Sequence, residues 1–323
     1  MARSVLVAGG AGFIGSQVCK RLAAGGDTPV AYDTLEKGHD WAVKWGPFER
    51  GDIGDAARVA EVIRAHRIDA VINLAGYIEV GESMREPARY RENNVERTRA
   101  LIDAAEACGV GAFVFSSTCA IYGTPRTPRL AETHPFGPVS VYGENKLAVE
   151  EMLRAPGRRM RAVCLRYFNA AGADPDGEIG EAHDPETHLM PLAIDAMLGL
   201  GRPLTLFGTD YDTADGTCVR DFVHVADLAD AHATALDYLD RGGAAPAFNL
   251  GSGAGYSVRE LIDATVRIGR RPVPHAVGPR RAGDPPRLVA DTALVERELG
   301  WRPTRDLDRQ IEDALRWRRK MPR

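Results

Sequence analysis

Ser4-Val-Leu-Val-Ala-Gly9-Gly-Ala-Gly12-Phe-Ile-Gly15 decides the fold. A short apolar strand at 4–8 runs into a glycine turn, and 13–24 follows with the periodicity of a helix whose first turn abuts the glycines. Gly9 and Gly12 allow a tight turn and close approach of backbone to a pyrophosphate, Gly15 lets helix and strand pack closely, and the helix N-terminus attracts phosphate charge. Glycines also make ordinary turns, so the pattern needs its second half. A strand at 29–33 supplies it by ending in Asp33, about twenty residues beyond the turn. That carboxylate is placed to accept hydrogen bonds from ribose hydroxyls and would repel a 2′-phosphate, which favours NAD over NADP. Gly51-Asp52-Ile53 reads equally as a border to the adenine or as an ordinary strand-end turn.

Working outward, helix 55–66, strand 70–74, helix 87–107 and strand 112–116 continue the alternation, and strand 161–167 follows a helix that begins near Ser140. Strict alternation implies an α/β fold with a Rossmann-type doubly wound parallel sheet. After Phe168 the rhythm changes, and the chain to about Thr187 is rich in Gly, Asp, Pro and His. We assign 1–168 to an NAD-binding Rossmann domain and 169–323 mainly to a smaller, discontinuous C-terminal α/β lobe that binds substrate. Segments near 220–250 are expected to return to the sheet.

The chain of 323 residues can bury a substantial core. Its net charge of -4 gives no general field that would attract nucleic acid or a membrane surface, so any anionic ligand must be held by local groups. The opening residues read as the approach to a first strand rather than a signal peptide, and no apolar run is long enough to span a bilayer. The cytoplasm is the expected location. Cys19, Cys108, Cys119, Cys164 and Cys218 are scattered without the CxxC or Cys/His spacing of a metal site, and no metal is expected.

Tyr142 and Lys146, in Ser140-Val-Tyr-Gly-Glu-Asn-Lys146, are i and i+4 on the helix, with Val149 and Leu153 continuing the same face inward. An adjacent ammonium and an oxidised nicotinamide both favour phenolate, so this pair can furnish a base near neutral pH. That is the chemistry of alcohol oxidation by NAD.

Gly9-Gly-Ala-Gly12-Phe-Ile-Gly15, Tyr142-Gly-Glu-Asn-Lys146, Arg166-Tyr-Phe-Asn169 and Asp215-Gly-Thr-Cys-Val-Arg-Asp-Phe-Val-His224 together resemble an extended short-chain dehydrogenase/reductase, nearest to the UDP-glucose (UDP-galactose) 4-epimerases. The resemblance extends through Glu186-Thr-His-Leu-Met-Pro191, Phe207-Gly-Thr-Asp-Tyr211 and Arg280-Arg-Ala-Gly-Asp284. It implies that Tyr142 is the base, that Lys146 holds the nicotinamide ribose and depresses the tyrosine, and that Thr118 offers a hydroxyl to the substrate. For the cofactor it implies Gly9, Gly12, Phe13, Ile14, Gly15, Asp33, Asp52, Ile53, Leu74, Ala75, Gly76, Asn93, Ser116 and Tyr167. For a UDP-sugar it implies Asn169, His188, Leu189, Thr205, Phe207, Arg220, Arg281, Asp284 and Leu288. A diphosphate needs arginine forks, and Arg220 and Arg281 can supply them. A homodimer is implied as well.

The implied reaction inverts C4 of a UDP-hexose through a transient 4-keto intermediate. Related 4,6-dehydratases place Asp-Glu directly after the threonine to eliminate water, whereas this chain has Cys119 and Ala120. A reductase that releases its cofactor each turn is not separated by sequence alone. Nor are epimerases of UDP-N-acetylhexosamines, uronates or pentoses, since Leu288 stands between the bulky and small residues that close or open a 2-acetamido pocket. A non-catalytic NAD sensor or scaffold is the reading of another class. Three departures from the family pattern stand out. Ile78 replaces a lysine near the cofactor pyrophosphate, which points to weaker retention. Arg97-Thr98 replaces a Gly-Thr, expected to alter only a helix surface. His188 replaces asparagine, and either contacts the nucleotide or caps the next helix.

Overall fold

In chain order the elements begin β1 (Ser4–Ala8), α1 (Phe13–Ala24), β2 (Thr28–Asp33), β3 (Phe48–Arg50), α2 (Ala56–His66), β4 (Ala70–Asn73), α3 (Val80–Arg85), α4 (Pro87–Arg91), α5 (Arg97–Ala107), β5 (Ala112–Thr118), α6 (Val141–Arg154) and β6 (Arg161–Tyr167). They continue with β7 (Asn169–Ala171), α7 (Leu189–Leu198), β8 (Leu204–Phe207), β9 (Val219–Arg220), β10 (Phe222–His224), α8 (Val225–Asp240), β11 (Ala247–Leu250), β12 (Tyr256–Ser257), α9 (Val258–Gly269), β13 (His275–Gly278), β14 (Arg287–Leu288), α10 (Ala293–Leu299) and α11 (Leu307–Lys320). The structure is a computed structural model that describes residues 2–281 and 283–322.

Seven strands form one parallel sheet in the order β11-β6-β5-β4-β1-β2-β3. Its central strands are buried on both faces, which is why 70–72 and 112–115 read as unbroken apolar runs rather than alternating ones. Side chains of one parity, Val5, Val7 and Val114, meet Val18 and Leu22 of α1 and Leu228 and Leu236 of α8. Those of the other parity, Leu6, Val71 and Phe113, meet Val59, Leu101 and Val149 of α2, α5 and α6. The strand order turns back between β1 and β4, and the crevice at the carboxyl ends there is where a doubly wound sheet binds its ligand.

The span expected as one helix at 87–107 is interrupted. α4 gives way to a π-helical turn at Glu92–Glu96 before α5 resumes. The wide turn frees Asn94 to clamp the loop after β4: its Oδ1 accepts from Tyr77 N at 2.8 Å and its Nδ2 donates to Tyr77 O at 2.9 Å. The segment after Cys218 also departs from expectation. β9 pairs with β12 and β14, and β10 pairs with β7, so 219–224 stays outside the large sheet, while α8 packs on α1 and β11 joins the edge at β6.

A buried ion pair fastens α6 to this sheet. Arg166 of β6, 2% exposed, donates to both oxygens of Glu150, at 2.9 and 2.7 Å, and Ser117 Oγ donates to Glu150 at 2.6 Å. Arg166 also donates to Tyr122 Oη at 2.8 Å, and that hydroxyl donates to Asn249 of β11 at 2.6 Å. Charges taken this far from water are tolerated only when paired and fully bonded. Glu150→Ala should therefore cost about 3–5 kcal/mol in urea unfolding, and the double replacement Glu150→Leu with Arg166→Met should recover most of it.

Candidate active site

The glycine turn sits at the carboxyl end of β1. Gly9 has φ +78°, and a Cβ there would stand 2.8 Å from Ala75 N; one on Gly15 would lie 2.0 Å from Gly9 O. Only glycine permits both approaches. Gly12 starts α1 without a side-chain cap and no acid lies in its first turn, so the N–H groups of Phe13 and Ile14 are left for an anion. Asp33, at the end of β2, accepts from Leu35 N (2.9 Å) and Ala11 N (3.1 Å), and burial raises its carboxyl against those bonds. Leu74, Ala75 and Gly76 line the end of β4, and Asn93 donates to Asn94 Oδ1 at 2.9 Å at the π turn. A free helix N-terminus, a close-packed glycine backbone and an acid at the next strand end fit a dinucleotide.

Ile53 is buried in the core, and Asp52 is engaged: Arg97 Nη1 lies 2.5 Å from its Oδ2, and Gly54 N donates to its Oδ1 at 2.8 Å. Arg97 thus does more than alter a helix surface, since it ties α5 to the turn that carries Asp52. Glu79, beside Ile78, is a matched charge. Despite burial its carboxyl is held low by backbone N–H groups, by Tyr90 Oη at 3.0 Å and by the Lys37 ammonium.

Ser140 caps α6 by accepting from Gly143 N at 3.2 Å, and Tyr142 N donates to Ser83 Oγ at 3.2 Å, so α3 also holds the start of the helix. Lys146, one turn on, is buried. Its Nζ donates to Ser116 O at 2.7 Å and lies 4.8 Å from the Phe115 ring centroid and 5.9 Å from that of Tyr142. Burial dominates both groups: it pushes the Tyr142 phenol up to about 12, against a hydrogen bond from Thr118, and pulls Lys146 down to about 8. The expected depression of the phenol by Lys146 is not produced by the protein alone. Thr118 Oγ1 also accepts from Ala120 N at 3.1 Å. Tyr167 lies beneath these groups, its buried hydroxyl bonded to His232 Nε2 and the Ser116 hydroxyl. His232 is held neutral by burial, down to about 4, with Nδ1 donating to Leu228 O at 2.8 Å.

Across the crevice, Thr205 and Phe207 point from the same, exposed face of β8, and the Arg281 guanidinium lies 4.4 Å from the Phe207 ring centroid. Arg220 is held by Asp284 Oδ1 at 3.1 Å and by the carbonyls of Val219 and Pro285, both at 2.9 Å, and Leu288 stands opposite it in the β9–β14 ladder. Leu288 packs against the cluster that holds Cys119, next to Thr118, and the Arg220 charge reaches Cys119, so the β9–β14 ladder lies beside the carboxyl end of β5. Cys119 itself is pushed up to about 12 by burial and is no acid. Asn169 opens β7, half-buried, and Leu189 opens α7.

His188 does not cap α7 with its side chain. It bonds Glu181 instead, at 2.5 Å, in a group with His183 and Glu186. The strap 178–188 crosses to the cofactor side: His39 Nε2 meets Ala182 O at 2.8 Å, Lys37 Nζ donates to Asp184 O at 3.3 Å, and Phe13 meets the His183 ring edge-on at 6.4 Å. The sequence reading passed over Glu181, His183, Ser83 and Asn94. Only the first two had a signal, in the spacing Glu-x-His-x-x-Glu-x-His.

Residues 5–251 match the NAD dependent epimerase/dehydratase family. The chain belongs to that family. It is 51% identical to a UDP-glucose 4-epimerase of Rhizobium meliloti (strain 1021), over 97% of this chain and 96% of that one. Among solved structures it resembles UDP-glucose 4-epimerase from Brucella ovis in complex with NAD, with TM-score 0.95, 48% identity, and coverage of 97% of this chain and 98% of that one. It also resembles the enzyme from Bifidobacterium longum in complex with NAD+ and UDP, with TM-score 0.91, 35% identity and 99% of each chain covered.

A lysine that titrates at 10.5 when unfolded and near 8 when folded weakens the fold at every pH below about 8, and the penalty relaxes as pH rises from 8 toward 10.5. Lys146→Met should accordingly raise unfolding free energy at pH 7 by up to ~3 kcal/mol, with the gain vanishing above about pH 10, as read from denaturant midpoints across that range.

Proposed function

We propose that the protein inverts C4 of a UDP-hexose, interconverting UDP-galactose and UDP-glucose through a transient 4-keto sugar, with NAD as its resident cofactor. The observation that supports this reading is the convergence of Tyr142, Thr118 and Lys146 at the carboxyl end of β5, with the Arg220 charge reaching Cys119 beside Thr118. The relatives named above, called UDP-glucose 4-epimerases and seen with NAD or with UDP, support it.

Gly9, Gly12, Phe13, Ile14 and Gly15 would hold the pyrophosphate of NAD, Asp33 the adenosine ribose, Asn93 and the turn Leu74-Ala75-Gly76 its flank, and Lys146 the nicotinamide ribose. When bound, NAD supplies a hydride acceptor and donor for C4 and a positive charge beside the phenol. Tyr142 Oη takes the proton of the 4-hydroxyl and later returns it to the same oxygen. Thr118 donates to that oxygen and eases the charge on the phenol. Inversion requires the hexose to present its opposite face while the nucleotide stays in place. Arg220 and Arg281 therefore grip the diphosphate and Phe207 the base, with Asp284 orienting Arg220. With Cys119 and Ala120 after Thr118, the site has no acid there to expel water from a 4-keto sugar.

On this reading residues 1–168 bind cofactor and 169–323 mainly substrate. A homodimer is part of it, supported by the exposed apolar side chains Val80 and Met84 of α3 and Val139 before α6. Five unpaired thiols suit a reducing compartment, the cytoplasm.

Proton NMR of the protein with UDP-galactose, followed to equilibrium, should show growth of the C4 epimer without net consumption of NAD. If no UDP-hexose converts while NAD is bound, the substrate assignment fails. Tyr142→Phe should lower turnover below a few per cent of wild type with NAD still bound, whereas Arg281→Met should raise KM roughly tenfold or more and leave kcat little changed.

A further inference from the structure

The strap 178–188 carries four side chains that proton transfer at C4 does not use. Glu181, His183, Glu186 and His188 each bring one donor atom to within 4.8 Å of the others. Both imidazoles present Nδ1: His183 Nδ1 stands 3.0 Å from Glu181 Oε1 and 4.0 Å from Glu186 Oε1, and His188 Nδ1 stands 2.5 and 3.6 Å from the same two oxygens. The two carboxylates are buried, at 6% and 8% side-chain exposure.

Two carboxylates facing one buried space need positive charge beside them, from the imidazoles when protonated or from a bound cation. Among the described residues no lysine or arginine bonds either of them. The neighbouring Arg318 is committed to Asp195 through two bonds of 2.5 and 2.6 Å. The acidic group close by makes the contrast, since Lys20 Nζ bonds Asp174, Asp176 and Glu178 together. Hydrogen bonding by itself also leaves the first group unfinished. Both imidazoles lean on Glu181, while among the described residues Glu186 receives only the N–H groups of Thr187 and His188 on Oε1, and its buried Oε2 has no hydrogen-bond partner.

We propose that Glu181, His183, Glu186 and His188 bind one divalent zinc ion as a structural site. Bonds of about 2.0–2.2 Å in a tetrahedron place ligand atoms roughly 3.3–3.6 Å apart; of the four nitrogen–oxygen separations, 3.6 Å meets that range, 2.5 and 3.0 Å fall below it and 4.0 Å lies above it. Two imidazole nitrogens and two carboxylate oxygens suit zinc rather than magnesium or calcium, which take oxygen cages. Four protein ligands leave no open position, so the ion is a fastener and not a Lewis acid for the sugar. It joins the strap to the start of α7 through His188 and stands beside the glycine turn through His183, which touches Phe13. Trp317 of α11 holds the same strap through Glu181 O at 2.9 Å.

The test is elemental analysis of untagged protein after dialysis, followed by calorimetric titration of chelator-stripped protein with Zn2+ and by Co2+ substitution. About one zinc per chain, a tetrahedral Co2+ visible spectrum and a rise of several degrees in Tm on adding Zn2+ are expected. His183→Ala and Glu186→Gln should each weaken Zn2+ binding at least tenfold, while Asp176→Asn, in the neighbouring acidic group, should not. Stripped wild-type protein that takes up neither Zn2+ nor Co2+, or variants that bind as wild type does, would overturn the site. Bound zinc with no effect on Tm would overturn its structural role. Should the variants fail to fold, the Co2+ spectrum of the wild-type protein decides alone. None of these readouts involves turnover, so they stand or fall apart from the epimerase reading.

Discussion

The ion pair between Glu150 and Arg166 is the constraint on which the site rests. It lies where α6 crosses β5 and β6, and its outer partners, Tyr122 and Asn249, carry the connection to β11. Glu150 follows Lys146 by four residues and Tyr142 by eight, so all three lie near one line along the helix. Pinning Glu150 therefore fixes the height and rotation at which the phenol and the ammonium reach the crevice. Ser140 and Ser83 fix the other end. The desolvation of two full charges is what this precision costs.

Burial also sets the chemistry. A phenol near 12 and an ammonium near 8 are both displaced toward their neutral forms, so in the free protein the phenol resists losing its proton while the ammonium loses its own more readily. On the proposed reading, cationic charge arriving with the cofactor would counter that bias for the phenol. The site is thereby quiet until it is filled, and the stability lost by burying Lys146 is a measure of how strongly the scaffold imposes it.

The fold and the core of the site were legible in sequence wherever the signal was local. The glycine turn, Asp33 and the Tyr142–Lys146 spacing each occupy one element and its boundary. Illegible were the contacts that close over distance. The pairing of Glu150 with Arg166 has no local signal, because nothing nearby in sequence shows that residues 16 apart meet in the core. Asn94 depends on a π turn that helical periodicity does not register. Arg97 read as a surface substitution because its partner, Asp52, lies 45 residues away. The cluster on the strap escapes notice for another reason. A search framed around cysteine ligands passes over histidine and glutamate spaced along a loop.

The late return of the chain to its sheet has a consequence for synthesis. β11 covers β6, yet the 219–224 segment and all of β7, α7 and β8 lie between them in sequence. Until Leu250 has left the ribosome, β6 is an edge strand with unpaired backbone groups, and the face that α8 covers lies open. A nascent chain halted between β7 and β11 thus presents that edge to its neighbours. Residues 169–246 must therefore leave the ribosome before the sheet can close at β6.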